Sequence, residues 1–168
     1  MSVTVIVGIQ WGDEGKGKII DFLTEDADVV ARFQGGNNAG HTVEIGDKKS
    51  VLHLVPSGIF RDKTICLICN GVVVDPVALM EEMKGLEKDG LDFKGRLEIS
   101  TRAHLVLPYH RMIDGLYEQK RKDGEKIGTT KRGIGPAYAD KVARTGIRAC
   151  DILDEKLLLA KFAKQLAY

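Results

Sequence analysis

Val3-Thr4-Val5-Ile6-Val7-Gly8, then Gln10-Trp11-Gly12-Asp13-Glu14-Gly15-Lys16-Gly17-Lys18, then Ile19-Ile20-Asp21-Phe22-Leu23 is the stretch whose reading decides the fold class. The first piece is a continuous apolar run ending on a glycine, which predicts a central strand buried on both faces. A glycine-rich loop from Gly8 to Gly17 follows, and Lys18 to Leu23 reads as a helix. Strand, glycine loop and helix in that order open a nucleotide-binding α/β unit.

The loop itself carries chemistry. Gly12, Gly15 and Gly17 let backbone amides approach a ligand, the following helix offers its positive end, and Lys16 adds a point charge where a phosphate would sit. The pattern is P-loop-like without matching the Walker spacing: Gly17 stands where a Ser or Thr would hold magnesium. Asp13 could supply the missing metal ligand or act as a base. The bland alternative is a tight polar turn with a solvated Asp and Lys, but two acids, two lysines and three glycines between Gln10 and Lys18 exceed what a turn needs.

Working outward, Asp28–Phe33 predicts a second strand, and Gln34–Thr42 (QGGNNAGHT) a second glycine-rich loop. Val43–Ile45 and Ser50–Leu54 flank Gly46-Asp47-Lys48-Lys49 as a β-hairpin. Thr64–Cys69 is an apolar strand. Asp75-Pro76 supplies an N-cap and first-turn proline for a helix running from Ala78 to Lys88 and stopped by Gly90. Arg96–Ile99 predicts a strand and Tyr109–Lys122 a helix, whereas Asp123–Pro136 shows neither period. Asp154 can cap a last helix over Leu157–Leu166, which reaches the end of the sequence without a Gly or Pro stop and so suggests truncation. Strands alternating with helices predict one α/β domain over residues 1–168: a mainly parallel sheet flanked by helices, a P-loop-like phosphate loop and a small β-hairpin insertion.

Composition narrows the function classes. With 43% hydrophobic and 29% charged residues in 168, the chain is ordinary for a globular domain that needs no disulfide or metal staple. Twenty-five basic against 24 acidic residues give +1, which speaks against a nucleic-acid surface or a polybasic membrane patch. There is no membrane-length apolar run and no signal-like start, so the expectation is a cytoplasmic protein. Cys66 and Cys69 form a C-x-x-C inside an apolar strand with no second pair to complete a zinc site, and read as packing residues rather than a metal or redox pair.

In the second loop His41 is the one residue suited to proton transfer, or to donating a bond to a developing phosphate oxyanion, near neutral pH. A lone loop histidine is commonly structural; its place after a glycine turn, parallel to the first loop, favours function. His53, His104 and His110 lie in or beside apolar segments and read as structural. The third segment, Ile127–Arg144 (IGTTKRGIGPAYADKVAR), offers Thr129, Thr130, Lys131 and Arg132 beside glycines. That composition suits a phosphate monoester and equally suits a solvated loop.

WGDEGKGK, NAGHT, NGVVVDP, GTTKRGIGPAY and DKVAR, in that order, resemble the adenylosuccinate synthetase family over about Val3 to Asp151. The resemblance implies the amino-terminal portion of a longer ligase of purine (AMP) biosynthesis, which joins IMP to L-aspartate at the expense of GTP through a 6-phosphoryl-IMP intermediate. It implies Asp13 as general base and magnesium ligand, His41 as general acid, and Gly40 as a carbonyl ligand to Mg2+. GTP and its phosphates would meet Gly12, Asp13, Glu14, Gly15, Lys16, Gly17 and Lys18 in the first loop, and Gly40, His41 and Thr42 in the second. IMP would contact Asp13, Glu14, Gly15 and Lys16, then Asn38, Ala39, Gly40 and His41, and Thr130. Arg144 would reach the IMP phosphate of the other subunit, which implies a homodimer. The family's aspartate- and guanine-binding segments would lie after Tyr168. Lys131 departs from the family pattern, where glycine is expected. A different class remains beside the enzyme: a truncated, non-catalytic module that holds purine nucleotides or phosphate. Retention of both Asp13 and His41 favours the enzyme, since holding phosphate needs neither base nor acid.

Overall fold

The computed structural model describes residues 2–9, 16–45, 48–122 and 128–167. Gly12, Asp13, Glu14 and Gly15 of the predicted phosphate loop, the hairpin turn at Gly46-Asp47 and residues 123–127 lie outside them.

A parallel sheet forms the centre. β1 (Val29–Arg32) pairs with β4 (Ile65–Ile68) in the register Val29↔Ile65, and β4 pairs with β6 (Leu97–Ile99). The same line continues through two short parallel strands, β5 (Val73–Val74) beside β7 (His104–Leu105), and through a bridge from Gly35 to Val72. β2 (His41–Ile45) and β3 (Lys48–Leu52) make the expected antiparallel hairpin, with His41 opposite Leu52. Both strands begin two residues earlier than the sequence pattern predicts, and β3 ends at Leu52 rather than Leu54.

The helices follow their local signals. α1 spans Lys16–Leu23 and α2 spans Pro76–Lys88. Asp75 caps α2, its Oδ1 accepting the Ala78 N–H at 3.1 Å. α3 covers Pro108–Lys120, and α5 (Glu155–Leu166) starts on Asp154, which accepts the Leu157 N–H at 3.0 Å. α4 (Ile134–Ala143) is a helix that the sequence pattern did not predict. Its glycine-rich start masks the periodicity, and it opens on Gly133 at φ +76°. There a side chain would also meet the backbone of His110 and Arg111 at 2.8 Å.

Leu52, Leu54, Ile59, Cys66, Ile68, Val72 and Ile147 are fully buried in one apolar cluster that joins hairpin, sheet and the 3-10 turn Ser57–Phe60. Cys66 is among them, and burial pushes its thiol up to about 11, as befits a packing residue. Cys69, just after β4, is half-buried, and no group of three metal-ligating side chains occurs among the described residues.

One expectation fails. Val3–Val7 is not a buried central strand: Val3 is 87% exposed, Val5 70% and Val7 59%. A strand buried on both faces needs a hydrogen-bonded neighbour on each side. Among the described residues this segment joins neither β1 nor any other ladder.

Candidate functional site

The second glycine loop leaves the carboxyl end of β1, the end of a parallel sheet at which α/β proteins bind ligands. Its path is fixed by hydrogen bonds to Arg32 of β1 and to side chains of more distant elements. Arg32 donates to the Gly36 carbonyl at 2.6 Å and also to that of His53, tying the loop to the end of the hairpin. The Tyr138 hydroxyl, from α4, accepts the Gly35 N–H at 2.8 Å and donates to the Gly71 carbonyl at 2.7 Å. Glu82 of α2 accepts the N–H groups of His53, Leu54 and Val55 at 2.8, 2.9 and 3.1 Å, so the strand opposite His41 is anchored just beyond its last pair.

This framework delivers His41 to the amino end of α1. A Cβ on Gly17 would lie 3.1 Å from the Cβ of His41 and 3.2 Å from its Cδ2, so a side chain there would push the imidazole away by a few tenths of an ångström. Gly40 is more tightly constrained, since a Cβ there would come within 2.6 Å of the His53 ring and 2.8 Å of Val51. The His41 ring is half-buried and its Nε2 has no hydrogen-bond partner among the described residues. Burial chiefly, then the Arg32 guanidinium, lowers its pKa; Glu82 and Asp21 oppose this and His53 adds to it. The ring is therefore held neutral at pH 7 with an N–H to donate.

The third segment closes the other side. Arg132 donates to the Asn37 carbonyl at 2.5 Å, joining it directly to the second loop. Gly128 N–H reaches Glu118 at 2.7 Å, the Thr129 hydroxyl reaches Asp114 at 2.8 Å, and Gly133 N–H reaches the other Asp114 oxygen at 2.9 Å. Thr130 lies exposed between these anchors. A cavity of about 270 Å³ lies between Asn37, Glu81, Arg111, Lys131 and Arg132, and Asn37 itself is 1% exposed, its Oδ1 without a hydrogen-bond partner among the described residues. A neighbouring groove of about 430 Å³ shares Ala78, Glu81 and Arg132 with it and extends to His53 and Glu82.

The structure thus sets Gly17 of the first loop against His41 of the second, and joins the third segment to the second loop through Arg132 and the Asn37 carbonyl, with Asn38, Ala39 and Gly40 on the exposed stretch between and Thr42 just beyond it. The side chain of Lys18 and the residues Gly12, Asp13, Glu14 and Gly15 lie outside the described set. Arg144 stands apart: it is exposed at the carboxyl end of α4, at φ +64°, one helix length of about 15 Å from the end that holds the Thr130 loop. For a hard cation such as Mg2+, the backbone carbonyl of exposed Gly40 is a suitable oxygen donor and Asp13 a suitable carboxylate. Arg32, Glu82, Asp114 and Tyr138 were not singled out from the sequence. Each acts on a segment far away in the chain, and no local pattern encodes such a contact.

A sequence profile of adenylosuccinate synthetase matches residues 5–168. The adenylosuccinate synthetase of Carboxydothermus hydrogenoformans is 58% identical over 99% of this chain, and that of Chlorobium chlorochromatii 57% identical over 98%; in each the match covers 38% of the relative. The chain therefore spans less than two fifths of the length of the curated relatives it matches. Among solved structures, fully ligated adenylosuccinate synthetase from Plasmodium falciparum superposes with a TM-score of 0.86 at 45% identity, over 94% of this chain and 37% of the other. The succinoaminodeoxyadenylate synthetase of cyanophage S-2L, solved with dGMP and dATP, gives 0.63 at 28% identity, over 80% of this chain and 36% of the other. By its motifs, its parallel sheet and these matches, the chain belongs to the adenylosuccinate synthetase family.

Proposed function

We propose that this chain is the amino-terminal, phosphoryl-transfer portion of an adenylosuccinate synthetase, a ligase of purine biosynthesis that uses GTP to join L-aspartate to IMP. The observation that carries this reading is the approach of Gly17, at the amino end of α1, to the His41 imidazole. A helix terminus suited to phosphate and a neutral imidazole donor share one spot, which supports stabilising the charge of a phosphoryl group in transfer.

Asp13 takes the proton from the ring nitrogen of IMP, and the purine 6-oxygen attacks the γ-phosphorus of GTP, releasing GDP. His41 donates to the bridging oxygen as that bond breaks, and Lys16 with the first-loop amides holds the phosphate oxygens. Aspartate's amine then displaces inorganic phosphate from the 6-phosphoryl-IMP, giving adenylosuccinate. Mg2+, held by Asp13 and the Gly40 carbonyl, would neutralise charge on the phosphates when bound. Asn38 and Thr130 contact IMP, and Arg144 reaches the IMP phosphate bound by the other subunit of a homodimer. The reaction is cytoplasmic in this reading.

The test follows the absorbance change as IMP becomes adenylosuccinate, with GTP, magnesium and aspartate, for this chain and for its full-length form. The full-length protein should turn over, and Asp13→Ala should abolish turnover with its fold intact by circular dichroism. A full-length protein that binds GTP and IMP but forms no adenylosuccinate would instead support the non-catalytic nucleotide-binding module.

A further inference from the structure

Resting on the function proposed above, we propose that Asp114 is a positioning residue for IMP, the carboxylate that holds the 128–133 segment in its phosphate-binding shape. Asp114 sits in the middle of α3, half-buried, on the face that runs beside the third segment. Both of its oxygens are used. One accepts the Thr129 hydroxyl at 2.8 Å and the other the Gly133 N–H at 2.9 Å. Glu118, one turn further along the same face, accepts the Gly128 N–H at 2.7 Å.

The three anchors fall on both sides of Thr130, Lys131 and Arg132, and none falls on them. Lys131 and Arg132 line the cavity shared with Asn37, and Arg132 crosses to the Asn37 carbonyl. Helix α3 therefore grips the ends of a short arch whose middle residues face the second glycine loop. Gly128, Thr130 and Lys131 are exposed, and Lys131 holds a left-handed backbone at φ +55° that an L side chain resists without support. Such an arch contributes little apolar burial to the fold. Releasing it changes how well the site is organised before ligand arrives, and that organisation is reflected in substrate affinity.

Asp114 touches no substrate in this reading; it acts through Thr130. Full-length enzyme carrying Asp114→Ala should show a KM for IMP raised by about tenfold or more, with kcat and the KM for GTP nearly unchanged. Asp114→Asn keeps one acceptor oxygen and should fall between wild type and Asp114→Ala. Thr129→Val removes a single arm and should resemble Asp114→Asn. Direct calorimetry of IMP binding should give the same order. An unchanged IMP affinity in Asp114→Ala, or equal losses for IMP, GTP and aspartate, would overturn the assignment. Should Asp114→Ala fail to fold, unchanged IMP affinity in Thr129→Val does the same. Calorimetry also separates the two readings: a wild-type protein that binds IMP without forming adenylosuccinate sinks the proposed reaction while leaving the role of Asp114 measurable.

Discussion

Lys131 lies at φ +55°, in the region where an L side chain crowds its own backbone and glycine does not. Replacing it with glycine relieves that crowding but adds freedom to the unfolded chain. The relief is the larger effect, so Lys131→Gly should stabilise the protein by about 0.5 kcal/mol. Urea denaturation checks this, and a lowered midpoint would mean the side chain holds the turn through contacts. The histidines give a second prediction at this scale. His110 is buried, its Nδ1 accepting the Leu107 N–H at 2.9 Å and its Nε2–H donating to Asp140 at 3.0 Å. Burial lowers its pKa below 6.5 against the opposing pull of Asp140. His104 is lowered too, by burial first and then by Lys141 and Arg148, with Asp151 and Asp140 opposing. For both, the unfolded chain takes the proton more readily than the fold. Stability is therefore whole above pH 6.5 and lost as the pH falls through that value toward the folded pKa. The urea midpoint should drop between about pH 7.5 and about pH 5.5. Asp151 does not confuse that window. Burial would raise its carboxyl, but the Lys161 hydrogen bond, the Arg148 N–H and the charges of both outweigh it and hold it below 3.8.

Among the elements, α4 has the widest reach, because Tyr138 ties it to Gly35 and Gly71 through one hydroxyl. Tyr138→Phe leaves the Gly35 N–H and the Gly71 carbonyl without that partner, and should destabilise by about 1–2 kcal/mol. It should also weaken IMP binding by loosening the second loop, and calorimetry against IMP would detect this. A stability loss with intact affinity would confine the tyrosine to the fold. Legibility from the sequence follows the same division. Helices α2 and α5 were readable because Asp75 and Asp154 announce their starts within three residues. The hairpin and the strands β1, β4 and β6 were readable from short apolar runs. α4 was not, because glycines on either side of its start conceal the period, and β5 and β7 are too short to show one. At the candidate site, the glycine turn marked His41 as a candidate, whereas Arg32, Glu82 and Asp114 owe their contacts to partners 21 or more, 27 or more and 15 or more positions away, apart from Arg32's closer bond to Gly36.

At the scale of the molecule, Arg144 at the far end of α4 from the Thr130 loop is the residue that tests the proposed homodimer. Full-length Arg144→Leu should bind IMP more weakly, and mixing it with Asp13→Ala protein should restore activity through hybrid dimers holding one intact site. No rescue, in dimers shown to exchange subunits, would count against a site shared between them. The exposed stretch at the start of the chain bears on a different matter. Val3 to Ile9 is seven residues without a charge or a proline, rich in β-branched side chains, and Val3, Val5, Val7 and Ile9 stand open to solvent. Such a sequence is a template for cross-β stacking between copies. The shelf life of this chain in concentrated solution is then governed by a handful of side chains outside its core, and a single lysine placed at Val5 would act as a gatekeeper against fibrils without touching the fold.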